Sequence, residues 1–492
     1  MESQSGTEVG DGTGADTVSG AHRAALLALN AAELRARYAD STISPIEVTD
    51  TVLAAARQAQ ARYAAVTCIN GEDARREAAS SAARWRAGTP LGPLDGVPIT
   101  FKDSFNIRGL PRWHGSAVSE GVVSTFDAAP VRRAREAGMV IVAKTSMPDY
   151  GLLMSGLSSH SGIVRNPWNP LTNPAGSSAG AAACLACGVA PLALGTDMVG
   201  SVRLPAAACG LASIHATQGR VAYDPPGNYR GAGPMARTVG DVAALLEVVG
   251  QYDPADHYAH PGQFRDDRKT IGRIDGISIG FLAGLRYGDA VDELTLRAAT
   301  QAAQVLAARG ADVTALQDLD VTQEDYDAVT WTMLHKGLPE LYAAPAARRG
   351  LVQADIGRMC DEALNHTALF MGKMAKRLGA AASRLEKQLA PFDYILSPAL
   401  PVRQFPVDAI SPSPPLGAMS HMGFACWFNQ LGRPAGTVAV MQADQGECPI
   451  SVQIAGRRFD DSGVLHILRL LEQSRDFLIE FPIIDPASGV EI

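Results

Sequence analysis

Short, nearly continuous apolar runs alternate with helical periodicity through most of this chain, and that alternation limits the fold more than any other feature. Residues 97–101, 139–143 and 191–194 carry almost no polar alternation. Such runs suit strands covered on both faces. Similar runs recur at 277–281, 312–316, 394–398, 436–440 and 450–455. Helical spacing fills the intervals at 24–38, 44–63, 70–86, 131–137, from 179, 239–249, 292–308 and 462–471. Ser44-Pro45-Ile46-Glu47 marks one start: a capping serine, proline at the first helical position and glutamate at the third. Strand–helix alternation predicts an α/β sheet with helices on both faces.

Residues 322–389 are helical in period and unevenly rich in Trp, Met, His, Tyr and Phe. An ordinary helical layer is the simpler expectation, and a cap over an active site is the functional one. Residues 411–417 form a proline-rich loop. Residues 1–22 are polar and rich in Gly, Ser and Thr, without a basic start or an apolar segment. They read as a disordered tail rather than a secretory signal, leaving 23–492 as one domain. The net charge of −8 gives no basic footprint for nucleic acid. No apolar run reaches the length of a membrane span. Seven scattered cysteines argue against a disulfide framework and fit a reducing compartment, the cytoplasm. Cys184-x-x-Cys187 lacks a second metal-binding pair and reads as two buried small residues.

Residues 173–203 read NPAGSSAGAAACLACGVAPLALGTDMVGSVR, two small-residue turns around an Ala/Cys-rich helix. Successive N–H groups in such turns can converge on an anion, and a serine closing the turn can act as a nucleophile beside its own oxyanion hole. Gly176-Ser177-Ser178-Ala179-Gly180 also fits the GxSxG nucleophile elbow, with Ser178 central. An elbow needs a strand before it, and residues 169–174 read as a loop.

These turns resemble those of the amidase signature family, whose GGSSGG and GTDxGGSxRxP appear here as AGSSAG and GTDMVGSVRLP. The family's GVPxxxKD segment is matched by Gly96-Val97-Pro98-Ile99-Thr100-Phe101-Lys102-Asp103. Further matches lie at Arg165-Asn166-Pro167-Trp168-Asn169, Gly233-Pro234-Met235-Ala236-Arg237-Thr238 and Ile450-Ser451-Val452-Gln453-Ile454-Ala455-Gly456. The resemblance spans about residues 25–480. It implies a single α/β/α sandwich around a large mixed sheet. It also implies Ser201 as nucleophile, Ser177 as a bridging serine after a cis peptide, and Lys102 as base. The N–H groups of Met198, Val199, Gly200 and Ser201 would form the oxyanion hole. Asp197 and Arg203 would brace the loop, with Gly176 and Ser178 in support.

Lysine can serve as a base only when neutral, and burial in an apolar site favours the neutral form. Lys102 ends an apolar strand, which supplies that burial; pairing with Asp103 is the structural alternative. The sequence departs from the family where Val199 replaces a glycine. Valine resists positive φ, so either that residue avoids it or the hole is reshaped. Arg112-Trp113-His114-Gly115-Ser116 replaces a threonine-rich loop, and Trp113, His114 and Met154 are expected to line the pocket. The resemblance implies amide hydrolysis without metal or cofactor, extending to aryl esters and carbamates or urethanes, by a monomer or homodimer. The alternatives are an esterase using Ser178 and an amidotransferase-type subunit that depends on partners.

Overall fold

A computed structural model describes residues 20–268, 272–414, 417–444 and 446–485. Eleven strands form one sheet, numbered here β1–β11 in chain order. They are Val66–Ile69 (β1), Pro98–Lys102 (β2), Val140–Thr145 (β3), Leu192–Asp197 (β4), Ala212–His215 (β5), Gly231–Ala236 (β6), Ser278–Leu282 (β7), Asp312–Leu316 (β8), Tyr394–Pro398 (β9), Ala435–Met441 (β10) and Ile450–Gly456 (β11). Across the sheet the order is β1-β3-β2-β4-β6-β5-β10-β11-β9-β7-β8. β2 runs parallel to both β3 and β4, and β7 runs parallel to both β8 and β9. The remaining neighbours are antiparallel, so the sheet is mixed.

Successive side chains on a strand point to opposite faces, and each face here is covered by its own apolar cluster. Leu396 and Ile454 belong to one cluster, with the helices Val239–Val249, Glu293–Ala308 and Asp461–Gln473. Their neighbours Ile395 and Ala455 belong to the other, with Gln323–Ala343, Ala368–Leu389 and Gly423–Gln430. This is the α/β/α arrangement the alternation predicts. Every residue of β2, β9 and β11 is buried, which explains their unbroken apolar runs.

Some expectations need correction. The helix expected at 24–38 is two, Gly20–Ala28 and Ala31–Ala39. Asn30 divides them by capping the second in a box with Glu33. The first helix also takes in residues 20–22 of the expected tail. Residues 1–19 of that tail, and 415–416 of the proline-rich loop, lie outside the described residues. Strands β1, β5 and β6 were not anticipated. β6 contains glycine and proline (GAGPMA) and β1 is only four residues long, so neither carries a strand signature. Gly233 is fitted to the site, since a Cβ there would lie 2.3 Å from the Ile214 carbonyl.

Candidate active site

The carboxyl end of β4 lines a cavity, with the parallel β2 ending beside it, the usual ligand position on an open α/β sheet. β2 delivers Lys102, completely buried. Its Nζ lies 2.7 Å from Ser177 Oγ and donates to the Thr196 carbonyl at 3.4 Å. Burial brings the pKa down to about 7; Asp197 opposes this and Arg230 reinforces it. Pairing with Asp103 does not occur. Asp103 instead holds the buried Lys144 at 2.8 Å and accepts the Gly115 N–H.

Ser177 follows a cis Gly176–Ser177 peptide. Only glycine fits at 176, because a Cβ there would sit 2.4 Å from the Ser155 carbonyl. The two serine turns are joined directly, the Ser178 N–H donating to the Ser201 carbonyl at 3.0 Å. Ser177 and Ser201 line the same cavity, of about 280 Å³. Ser201 is almost fully buried, and its Oγ is 3.5 Å from Met154 Sδ. Ser178 is different. It is completely buried, its Oγ faces the Thr196 carbonyl at 3.5 Å, and irregular backbone rather than a strand leads into it.

Asp197 and Arg203 hold the turn that carries Ser201. Both are buried, and Arg203 grips Asp197 with two bonds of 3.0 and 3.1 Å. Arg203 also donates to the Ala425 carbonyl, Gln453 Oε1 and Asn429 Oδ1. Burial pushes the Asp197 carboxyl upward, but Arg203, His215 and Asn429 outweigh it and hold it well below the usual carboxylate range. The charged Asp197 then accepts the N–H of Gly200 at 2.7 Å and of Val202 at 3.1 Å.

That geometry removes Gly200 from the expected oxyanion set, since its N–H is committed to Asp197. Among the described residues no acceptor takes the N–H of Met198, Val199 or Ser201. Val199 does not adopt positive φ; Gly200 carries it instead, at 120°. Val199 is therefore accommodated as a buried apolar residue, in the cluster that also holds Leu204.

The pocket residues divide. His114 lines the cavity, with Nδ1 2.8 Å from the Glu340 carboxylate. Burial holds its pKa below the ordinary value against the opposing charge of Glu340. Met154 touches Ser201 as described, but lies behind the cavity and is not among the residues that line it. Trp113 does not face the cavity: it stacks on His160, with ring centroids 4.0 Å apart, and covers Gly121. The helix Gln323–Ala343 contributes Met333, Lys336 and Glu340 to the wall. Its segment thus forms part of the site, beyond an ordinary helical layer. Sequence reasoning missed Glu340, Lys336 and Arg230, because nothing in their spacing ties them to Lys102. The uneven aromatic and Met content of 322–389 was the only signal pointing there. Among the described residues no cluster of His, Cys, Asp or Glu could hold a metal ion.

A family model described as Amidase matches residues 47–465. The chain belongs to the amidase family. It is a member of the amidase signature C–N hydrolases, as the ordered motifs implied. A glutamyl-tRNA(Gln) amidotransferase subunit of Acidothermus cellulolyticus is 30% identical, over 95% of this chain and 99% of that one. Among solved structures, 6-aminohexanoate cyclic dimer hydrolase superposes with a TM-score of 0.80 at 25% identity, covering 92% of this chain and 98% of that one. A bacterial aryl acylamidase of the amidase signature family superposes at 0.82 and 24% identity, covering 90% and 96%, and shares the fold. No helix among the described residues is long and apolar enough to cross a membrane.

Proposed function

We propose that this amidase-family chain hydrolyses carboxylic amides through an acyl-enzyme on Ser201. The observation that carries this reading is the wholly buried Lys102 amine, 2.7 Å behind the Oγ of Ser177, which lines the same cavity as Ser201. A pKa near 7 leaves much of that amine neutral and able to take a proton. Ser177 gives its proton to Lys102 and takes the proton of Ser201. The Ser201 oxygen bonds to the amide carbon, and the carbonyl electrons move onto oxygen. The N–H groups of Met198, Val199 and Ser201 stabilise that oxyanion. Collapse breaks the C–N bond, and the leaving nitrogen receives the proton from Lys102 through Ser177. Water then attacks the ester, loses its proton to the same relay, and releases the acid and Ser201.

Aryl esters and carbamates or urethanes undergo the same acyl transfer and extend the proposed range. The described cysteines are free thiols, which suits the reducing cytoplasm. A second reading has the chain work as an amidotransferase-type subunit that needs partners. It is favoured by the nearly end-to-end match to the Acidothermus protein. Purified chain alone, incubated with glutamine and a panel of small amides, separates the two. Ammonia or amine release that disappears in Ser201→Ala supports the autonomous amidase; release only after partner proteins are added supports the partner-dependent reading.

A further inference from the structure

The wall of the cavity carries more positive charge than its own carboxylates can balance. Two carboxylates line it, Asp197 and Glu340. Asp197 is neutralised by the buried Arg203. Glu340 is taken by His114 and by Arg112, whose Nη1 is 3.3 Å away. Arg230 and Lys336 remain, on different parts of the chain: a loop just before β6 and the helix Gln323–Ala343. Both line the cavity, and neither is ion-paired among the described residues.

Arg230 acts on Glu340 only through space, after His114 and Arg112, and the direct contacts of both cations are with rings and oxygens that carry no charge. Arg230 lies over the Tyr223 ring at 4.5 Å and donates to its hydroxyl at 3.2 Å. Lys336 lies 5.3 Å from the centre of the Tyr229 ring and donates to the Asn228 carbonyl. Rings and carbonyls orient a cation but leave its charge intact. The two cations also repel, and Arg230 contributes to pulling the Lys336 amine down to about 8, after burial. Like charges gathered in a partly desolvated wall are stabilised by an anion placed between them.

We infer that Arg230 and Lys336 form a carboxylate subsite of the cavity, selecting amides that carry an anionic group beside the scissile bond. This rests on the amide-hydrolase reading above. It names a substrate class, an amide bearing a free carboxylate on its acyl or amine part, and two specificity-determining residues.

Matched pairs test it. Glutaryl-4-nitroanilide against pentanoyl-4-nitroanilide places the charge on the acyl side. N-acetyl-4-aminobenzoate against 4-methylacetanilide places it on the amine side. The charged member of at least one pair should be favoured in kcat/KM by about tenfold or more, the size of one charge-assisted hydrogen bond. The ratio should fall toward one in the Arg230→Met, Lys336→Met double variant and be partly kept in Arg230→Lys. Cleavage of both members without preference, or a ratio unchanged in the double variant, overturns the subsite while leaving the hydrolase reading standing. If neither pair is cleaved and Ser201 takes no fluorophosphonate, the hydrolase reading itself fails. Whenever neither pair is cleaved, with Ser201 labelled or not, glutarate should still raise the Tm of the wild type but not of the double variant; no rise in the wild type overturns the subsite.

Discussion

Replacing Lys102 with methionine should make the protein more stable while removing its chemistry. A free lysine titrates at 10.5 and Lys102 at about 7. Between those values the unfolded chain holds a proton that the folded chain has lost, so the lysine destabilises the fold by an amount that grows as pH falls. At pH 8.5 the gap to the unfolded value is two pH units, worth about 2.7 kcal/mol. Methionine removes that penalty. It also removes the bond to Ser177, worth about 1 kcal/mol, which leaves a net gain of about 2 kcal/mol. The gain is largest at and below pH 7 and has vanished by about pH 10. Urea unfolding of wild type and Lys102→Met at pH 6.5, 8.5 and 10 measures it. A difference that does not change with pH, or a variant less stable throughout, would refute the claim that burial holds this amine neutral.

The same depressed pKa predicts that kcat/KM for a neutral anilide rises with pH through about 7 and then levels. In Arg230→Met that limb should move to higher pH, because the guanidinium helps to keep the amine neutral; an unmoved limb contradicts the coupling. Arg203→Met leaves the Asp197 carboxylate buried without its partner and should lower stability by about 3–5 kcal/mol in denaturant titration, with labelling of Ser201 lost along with it. Gly200→Ala puts a Cβ 2.7 Å from that of Ala425 at a φ of 120°, so amidase turnover should collapse; full turnover would show that the turn can shift freely. Trp113→Ala should leave the ranking of substrates unchanged, since Trp113 stacks on His160 away from the cavity.

Local signals carried the parts of the fold that are locally determined. Strands buried on both faces advertise themselves as apolar runs, and the helix starts at Ser44, Thr238 and Asp292 carry capping side chains. β5 and β6 were invisible because they are defined by pairing, not by composition. The three residues of the proposed relay were legible because ordered motifs fixed them together. Of the cavity wall, the loop with Arg112 and His114 was legible as a departure from the family, whereas Arg230, Lys336 and Glu340 were not, because they join it only after the helix Gln323–Ala343 folds over the sheet end. Gln453 belongs to the Ile450–Gly456 motif, yet its role as an acceptor for Arg203 needs the neighbouring strands to be in place. Trp113 was misplaced for the opposite reason: adjacency to His114 in sequence says nothing about which of the two turns inward.

The central claim is that Ser201 is the nucleophile and Lys102 the base that activates it. The most direct measurement is mass-spectrometric mapping of a fluorophosphonate adduct on the purified chain. The account predicts label on Ser201, absent in Ser201→Ala and formed much more slowly in Lys102→Ala. Label on Ser178 would contradict it, as would labelling of Ser201 at an unchanged rate without Lys102.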